Sequence, residues 1–96
     1  MLTEKITICN PSGLHARPAS QFVYIAGLFQ SSIFFRKVGD DTLYNAKSIL
    51  SVLTACVKFQ MEIELQINGP DEEAAFRTIC AAVENGFGEA IKDHPP

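Results

Sequence analysis

Met61-Glu62-Ile63-Glu64-Leu65-Gln66-Ile67 alternates apolar and polar residues without a break. Successive side chains of an extended chain point to opposite faces, so this segment is apolar on one side and carries Glu62, Glu64 and Gln66 on the other. A strand wet on one face belongs to an antiparallel sheet with a single covered side. Helices must cover that side, which predicts a two-layer α+β protein.

The neighbouring segments supply the rest of the layers. Residues 4–9 read as a strand, with Ile6 and Ile8 on one face and Lys5, Thr7 and Cys9 on the other. Asn10-Pro11-Ser12-Gly13 is turn chemistry. Residues 16–29 place Ala19, Phe22, Val23, Ala26 and Phe29 at helical spacing. Residues 32–38 are β-branched and aromatic and read as a strand; Gly39-Asp40-Asp41 turns, and 42–45 make a short further strand. Residues 48–57 read as a helix with Ile49, Val52, Leu53 and Cys56 in one stripe, and with Leu50 turned outward. Asn68-Gly69-Pro70 ends the alternating strand, and Asp71, Glu72 and Glu73 open a last helix at its positive end. Phe76, Ile79, Cys80 and Val83 form its expected buried face, and Gly86 its stop. The order is β-α-β-β-α-β-α, with residues 1–88 expected to form one domain and 89–96, including a solvated His94, a flexible tail.

Bulk properties narrow the function. The chain has 96 residues, 47% hydrophobic and 20% charged, and a net charge of −3. These are ordinary globular proportions, and the charge offers no electrostatic attraction for nucleic acid. The longest apolar run, Phe22 to Phe29, is far too short to span a bilayer, so no membrane insertion is expected. The N-terminal residues lack a signal-peptide pattern. Cys9, Cys56 and Cys80 have no metal-ligand spacing. They read as small buried residues, so a reducing cytoplasm, no metal and no cofactor are expected.

Gly13-Leu14-His15-Ala16-Arg17-Pro18 carries the chemistry. A proline suits the first turn of a helix, which places His15 at the helix N-terminus. Unbonded backbone N–H groups and the positive end of the helix dipole converge there and form an anion site. A phosphate on His15 would meet those N–H groups, those of Ala16 and Arg17 among them, and Arg17 adds charge. The plainer alternative for such a histidine is a cap or a surface residue.

The segment Asn10-Pro11-Ser12-Gly13-Leu14-His15-Ala16-Arg17-Pro18-Ala19 resembles the active-site motif of the HPr family, the histidine-containing phosphocarriers of the bacterial sugar phosphotransferase system. Asn45-Ala46-Lys47-Ser48-Ile49-Leu50 resembles that family's regulatory serine region, and Gly69-Pro70-Asp71-Glu72-Glu73-Ala74-Ala75 the start of its last helix. The resemblance implies an open-faced β-sandwich, a four-stranded antiparallel sheet covered on one face by three helices. It implies that His15 accepts a phosphoryl group from enzyme I, charged by phosphoenolpyruvate, and passes it to the A domains of sugar permeases, with Arg17 as partner. Such a protein is a stoichiometric carrier and a monomer rather than an enzyme. It also implies Ser48 as a target of an HPr kinase, in addition to its reading as a helix N-cap, and Ile49, Leu50 and Leu53 as a docking patch near His15. The alternative is a diverged paralogue acting as a regulatory interaction module controlled through Ser48.

The chain departs from the family pattern in places. Cys56 and Gln60 stand where relatives have glycine, and Phe59 falls in the same turn. A turn without glycine must avoid positive φ or accept strain, and a helix extended toward Val57 is the expected accommodation. Tyr24 and Gly27 replace basic residues of some relatives, which weakens steering toward an acidic partner. Extra residues are expected in the Val38–Leu43 loop.

Overall fold

The computed structural model describes residues 1–88; the expected tail and His94 lie outside the described residues. The elements are β1 (Leu2–Thr7), α1 (Ala16–Gly27), β2 (Ser32–Lys37), β3 (Tyr44–Asn45), α2 (Ile49–Ala55), β4 (Glu62–Asn68) and α3 (Glu72–Glu84), followed by a 3-10 turn over Gly86–Gly88. The strands form one antiparallel sheet in the order β1-β4-β2-β3. Three helices and this sheet make the expected α+β open-faced sandwich.

The alternation of β4 determines which face is covered. Ile63, Leu65 and Ile67 are buried, and register places Ile33 and Phe35 of β2 beside Ile67 and Leu65 on the same side. The opposite face carries a polar row, Lys5–Glu64–Arg36, across three strands. Arg36 Nε donates to Glu64 Oε1 at 2.9 Å, and this bond holds the Glu64 carboxyl below its ordinary value. The helices bring Ala19, Phe22, Ala26, Val52, Ala55, Ala75, Ile79 and Val83 onto the apolar side. Phe22 is at the centre: its ring meets Phe35 edge-on at 5.6 Å and Phe87 at 6.1 Å between centroids. The periodicity of α3 does not predict Phe87 as core. It lies beyond the helix stop, and its backbone folds back in the left-handed region, φ 53°.

Several expectations are corrected. β1 begins at Leu2 and ends at Thr7 rather than running over 4–9, so Cys9 lies past the strand, where its thiol donates to the Val83 carbonyl at 3.0 Å. α2 covers Ile49–Ala55, and its buried residues are Val52 and Ala55. Ile49, Leu53 and Cys56 of the expected stripe are exposed instead, and Leu50 is exposed as expected. A seven-residue helix has only two turns, and its rotation follows its contacts with α1 and β3 rather than its own weak pattern. The helix does not extend to Val57. Cys56 caps it in the left-handed region at φ 53°, and Gln60 follows at φ 69°, so the glycine-free turn accepts strain. None of the cysteines is fully buried. On α3, Ala75 rather than Phe76 or Cys80 joins Ile79 and Val83 inside; Phe76 and Cys80 are half-buried.

Candidate functional site

The loop between β1 and α1 is built inward from its glycine. Gly13 has φ +63°, and its N–H donates to the Asn10 carbonyl at 3.1 Å while the buried Asn10 amide donates back to the Gly13 carbonyl at 2.9 Å. A Cβ on Gly13 would meet the Val57 carbonyl oxygen and the backbone of Lys58, so only glycine fits. The next residue, Leu14, is fully buried, and its N–H donates to that same Val57 carbonyl at 2.9 Å. The loop is therefore held by the turn that follows α2. That turn is itself held to β1's end: Gln60 N–H donates to the Ile8 carbonyl at 2.7 Å and Ile8 N–H to the Met61 carbonyl at 2.9 Å.

Burial of Leu14 turns the following residue outward. His15 is the N-cap residue of α1, extended at φ −129°, ψ 160°, and its side chain makes no capping bond. It is half-exposed, with Ala16 and Arg17 exposed after it and Pro18 and Ala19 buried. The N–H groups of Ala16 and Arg17 belong to the first turn, where no intrahelical acceptor exists for them. No acidic residue occupies that turn to compete for them. Ala16 has φ 53°, a left-handed conformation that an alanine holds only against a cost of about 1–2 kcal/mol. His15 thus immediately precedes a set of first-turn amide donors, with Arg17 two residues on. This is chemistry for an anion carried on, or delivered to, the histidine.

Ser48 lies where the sequence expects it, as the N-cap of α2; its Oγ accepts from Ser51 N–H at 3.3 Å. Beside it, Lys47 Nζ donates to the Phe29 carbonyl at 2.8 Å and ties the start of α2 to the chain just beyond α1. α1 and α2 contact each other, and α2 presents Ile49, Leu50 and Leu53 to solvent, with Leu50 74% exposed. The exposed docking candidates therefore share one helix. The role of Val57 as anchor of the His15 loop is not legible in the sequence. Its one local signal is Gly13, whose requirement for a close neighbour names no partner.

Among the described residues, no cluster of His, Cys, Asp and Glu fits a metal ion, and no helix is long and apolar enough to cross a membrane.

Comparison with known proteins agrees with this geometry. A family model described as "PTS HPr component phosphorylation site" matches residues 2–85. The chain is 38% identical over 89 residues to the phosphocarrier protein HPr of Treponema pallidum, covering 93% of this chain and 99% of that one. It is 38% identical over 88 residues to the multiphosphoryl transfer protein of Vibrio cholerae, covering 91% of this chain but spanning only 22% of that protein. The crystal structure of HPr-C-His from Thermoanaerobacter tengcongensis superposes with a TM-score of 0.90 at 38% identity, over 95% of this chain and 100% of the other. A half-exposed histidine at a helix start, a four-stranded antiparallel sheet with three helices on one side and a family match over nearly the whole described chain agree: the protein belongs to the HPr family of phosphotransferase-system phosphocarriers.

Proposed function

We propose that this chain accepts a phosphoryl group on His15 from enzyme I, charged by phosphoenolpyruvate, and passes it to the A domains of sugar permeases. The observation that carries this reading is the half-exposed His15 at the N-cap of α1, beside first-turn amides that no acidic side chain occupies. The imidazole attacks phosphorus through a ring nitrogen lone pair. The N–P bond forms as the donor's phosphorus bond to its leaving group breaks; the leaving group departs with that bonding pair. The N–H groups of Ala16 and Arg17, and the Arg17 guanidinium, stabilise the charge on the equatorial oxygens by positioning rather than by covalent chemistry. Transfer onward is the same displacement, with His15 as leaving group. The protein is consumed and regenerated stoichiometrically and is not itself an enzyme. It acts as a monomeric domain over residues 1–88 in the cytoplasm, where phosphoenolpyruvate is found.

Ser48 serves in this reading as a second control point, modified by an HPr kinase. A phosphate there suits the helix N-cap, and its charge beside Ile49, Leu50 and Leu53 opposes docking.

Incubation with enzyme I and phosphoenolpyruvate, followed by intact-mass measurement, tests the relay. One acid-labile phosphate is expected on the wild type and none on His15→Ala. An equal gain in both, or no gain in the wild type while a standard HPr is phosphorylated in parallel, removes it. The second outcome leaves the regulatory module, controlled through Ser48, as the reading to pursue.

A further inference from the structure

After Arg17, α1 contains no charged residue, and α2 contains none at all. The solvent side of α1, continued by its C-cap residue, runs Arg17, Ser20, Tyr24, Leu28, spaced three and four residues apart and all exposed, so they form one ridge. Ser20 is small and gives the ridge little contact area, so Tyr24 is its first large side chain beyond Arg17. Tyr24 is 69% exposed, and its hydroxyl and ring have no partner among the described residues. The cations that flank these helices are few: Arg17 itself, Lys58 in the turn after α2, and Lys47, whose ammonium is engaged by the Phe29 carbonyl.

Geometry connects this ridge to the acceptor. Tyr24 lies nine residues beyond His15, a rise of about 14 Å along the helix, and Leu28 lies about 20 Å along it. A standard interface buries about 800 Å² on each partner, a disc of roughly 16 Å radius. A protein centred on His15 and reaching Arg17 therefore covers Tyr24 and stops short of Leu28.

Resting on the relay reading of His15, we propose that Tyr24 is the α1 anchor of the phosphoryl-exchanging partner, and that this partner meets it with an apolar, charge-poor surface rather than an acidic one. A tyrosine on a rigid helix supplies a large amphipathic contact at low entropic cost and is enriched among residues that dominate binding energy. With uncharged helices behind it, docking relies on apolar burial with Ile49, Leu50 and Leu53, and long-range steering contributes little. Charge–charge attraction weakens steeply with salt and apolar burial does not, so the two modes separate by ionic strength.

The experiment follows phosphoryl transfer from phosphoenolpyruvate-charged enzyme I of the same genome onto the wild type, Tyr24→Ala, Tyr24→Lys and Leu28→Ala. Between about 0.05 and 0.5 M salt, wild-type kcat/KM is expected to change less than about threefold. Tyr24→Ala raises KM about tenfold with kcat retained, the loss of an anchor worth about 1.4 kcal/mol. Leu28→Ala behaves as wild type, and Tyr24→Lys does not restore the lost affinity. Thermal melting of each variant matches wild type, because Tyr24 and Leu28 are exposed. The inference is overturned by an unchanged KM in Tyr24→Ala, by an equal loss in Leu28→Ala, by a gain in Tyr24→Lys, or by a wild-type rate that falls more than about tenfold with salt. In those cases phosphate still reaches His15 and the relay reading survives. Absence of any phosphate on wild-type His15 is a different result, and it removes both.

Discussion

Leu14 N–H donates to the Val57 carbonyl oxygen at 2.9 Å, and this one backbone bond joins the loop carrying His15 to the turn that follows α2. Leu14 is fully buried while its neighbour His15 is half-exposed, so the anchor on one residue determines the presentation of the next. The loop that carries His15 is therefore only as well positioned as the Cys56–Met61 turn beneath it.

Gly13→Ala tests that coupling. The methyl would sit against the Val57 carbonyl and Lys58 backbone at φ +63°. The left-handed penalty and the displacement of packed backbone together predict a loss of about 2–4 kcal/mol in urea unfolding. Phosphoryl acceptance should fall as well, even under conditions where the variant is folded. A loss below about 0.5 kcal/mol means that the loop lifts off the turn freely.

Gln60→Gly should act in the opposite direction. Gln60 holds φ 69° while its N–H is bonded to Ile8. Glycine relieves about 1–2 kcal/mol of left-handed strain and returns roughly half of it through greater freedom in the unfolded chain. A net gain of about 0.5–1 kcal/mol is expected in the urea midpoint at unchanged slope. Cys56→Gly should gain less, because its thiol also donates, at 3.7 Å, to the Leu53 carbonyl.

Ser48→Ala removes the acceptor for Ser51 N–H at the start of α2. The loss should be about 1 kcal/mol by thermal or urea unfolding. Ser48→Asp keeps an acceptor oxygen at the same place and adds favourable charge at the helix start, so its stability should match or exceed wild type. Equal destabilisation by both substitutions would show that the hydroxyl itself, rather than an acceptor, is required.

Asp71 should shape the acid limb of the stability curve. Its carboxylate accepts from the Ser31 hydroxyl, from Gln30 N–H at 2.8 Å and from Ser31 N–H at 2.9 Å. The Ser31 hydroxyl first, and then the Gln30 amide, hold the carboxyl below its ordinary value of 3.8. The folded state thus binds this proton less readily than the unfolded state. The stabilisation is complete above the unfolded value and is lost as pH falls through the lower folded one. Asp71→Asn offers one acceptor oxygen and sets an NH2 against the remaining donor, so its melting temperature should lie below wild type at pH 7. The gap should close as pH falls from about 4 toward 2. A gap of constant size across that range would assign the acid sensitivity to another group.

Much of the fold was legible because it rests on local period and turn chemistry. The alternation of residues 61–67 identified the covered face, and Ile63, Leu65 and Ile67 are buried. Pro18 and Gly13 marked the start of α1, and the N-cap falls on His15. Ser48 was identified as a cap by residue type and position. The less legible parts share a cause. The rotation of α2 is set by α1 and β3, since two helical turns contain too few residues for a period to specify a face. The half-burial of Phe76 and Cys80 follows from how α3 packs on β1 and β4, contacts made by residues far away in sequence. The left-handed Cys56 and Gln60 contradict their own preferences because the turn must reach both Ile8 and Leu14.

By itself, then, the order of side chains determined the strand and helix faces with a clear repeat, the glycine turn and the helix that begins at the histidine, because each depends on residues within one turn or one pleat of each other. Tertiary structure decided how that histidine is presented. Val57 lies far from it along the chain, and only the assembled sheet and the strained turn after α2 bring its carbonyl beneath Leu14 and leave His15 facing outward.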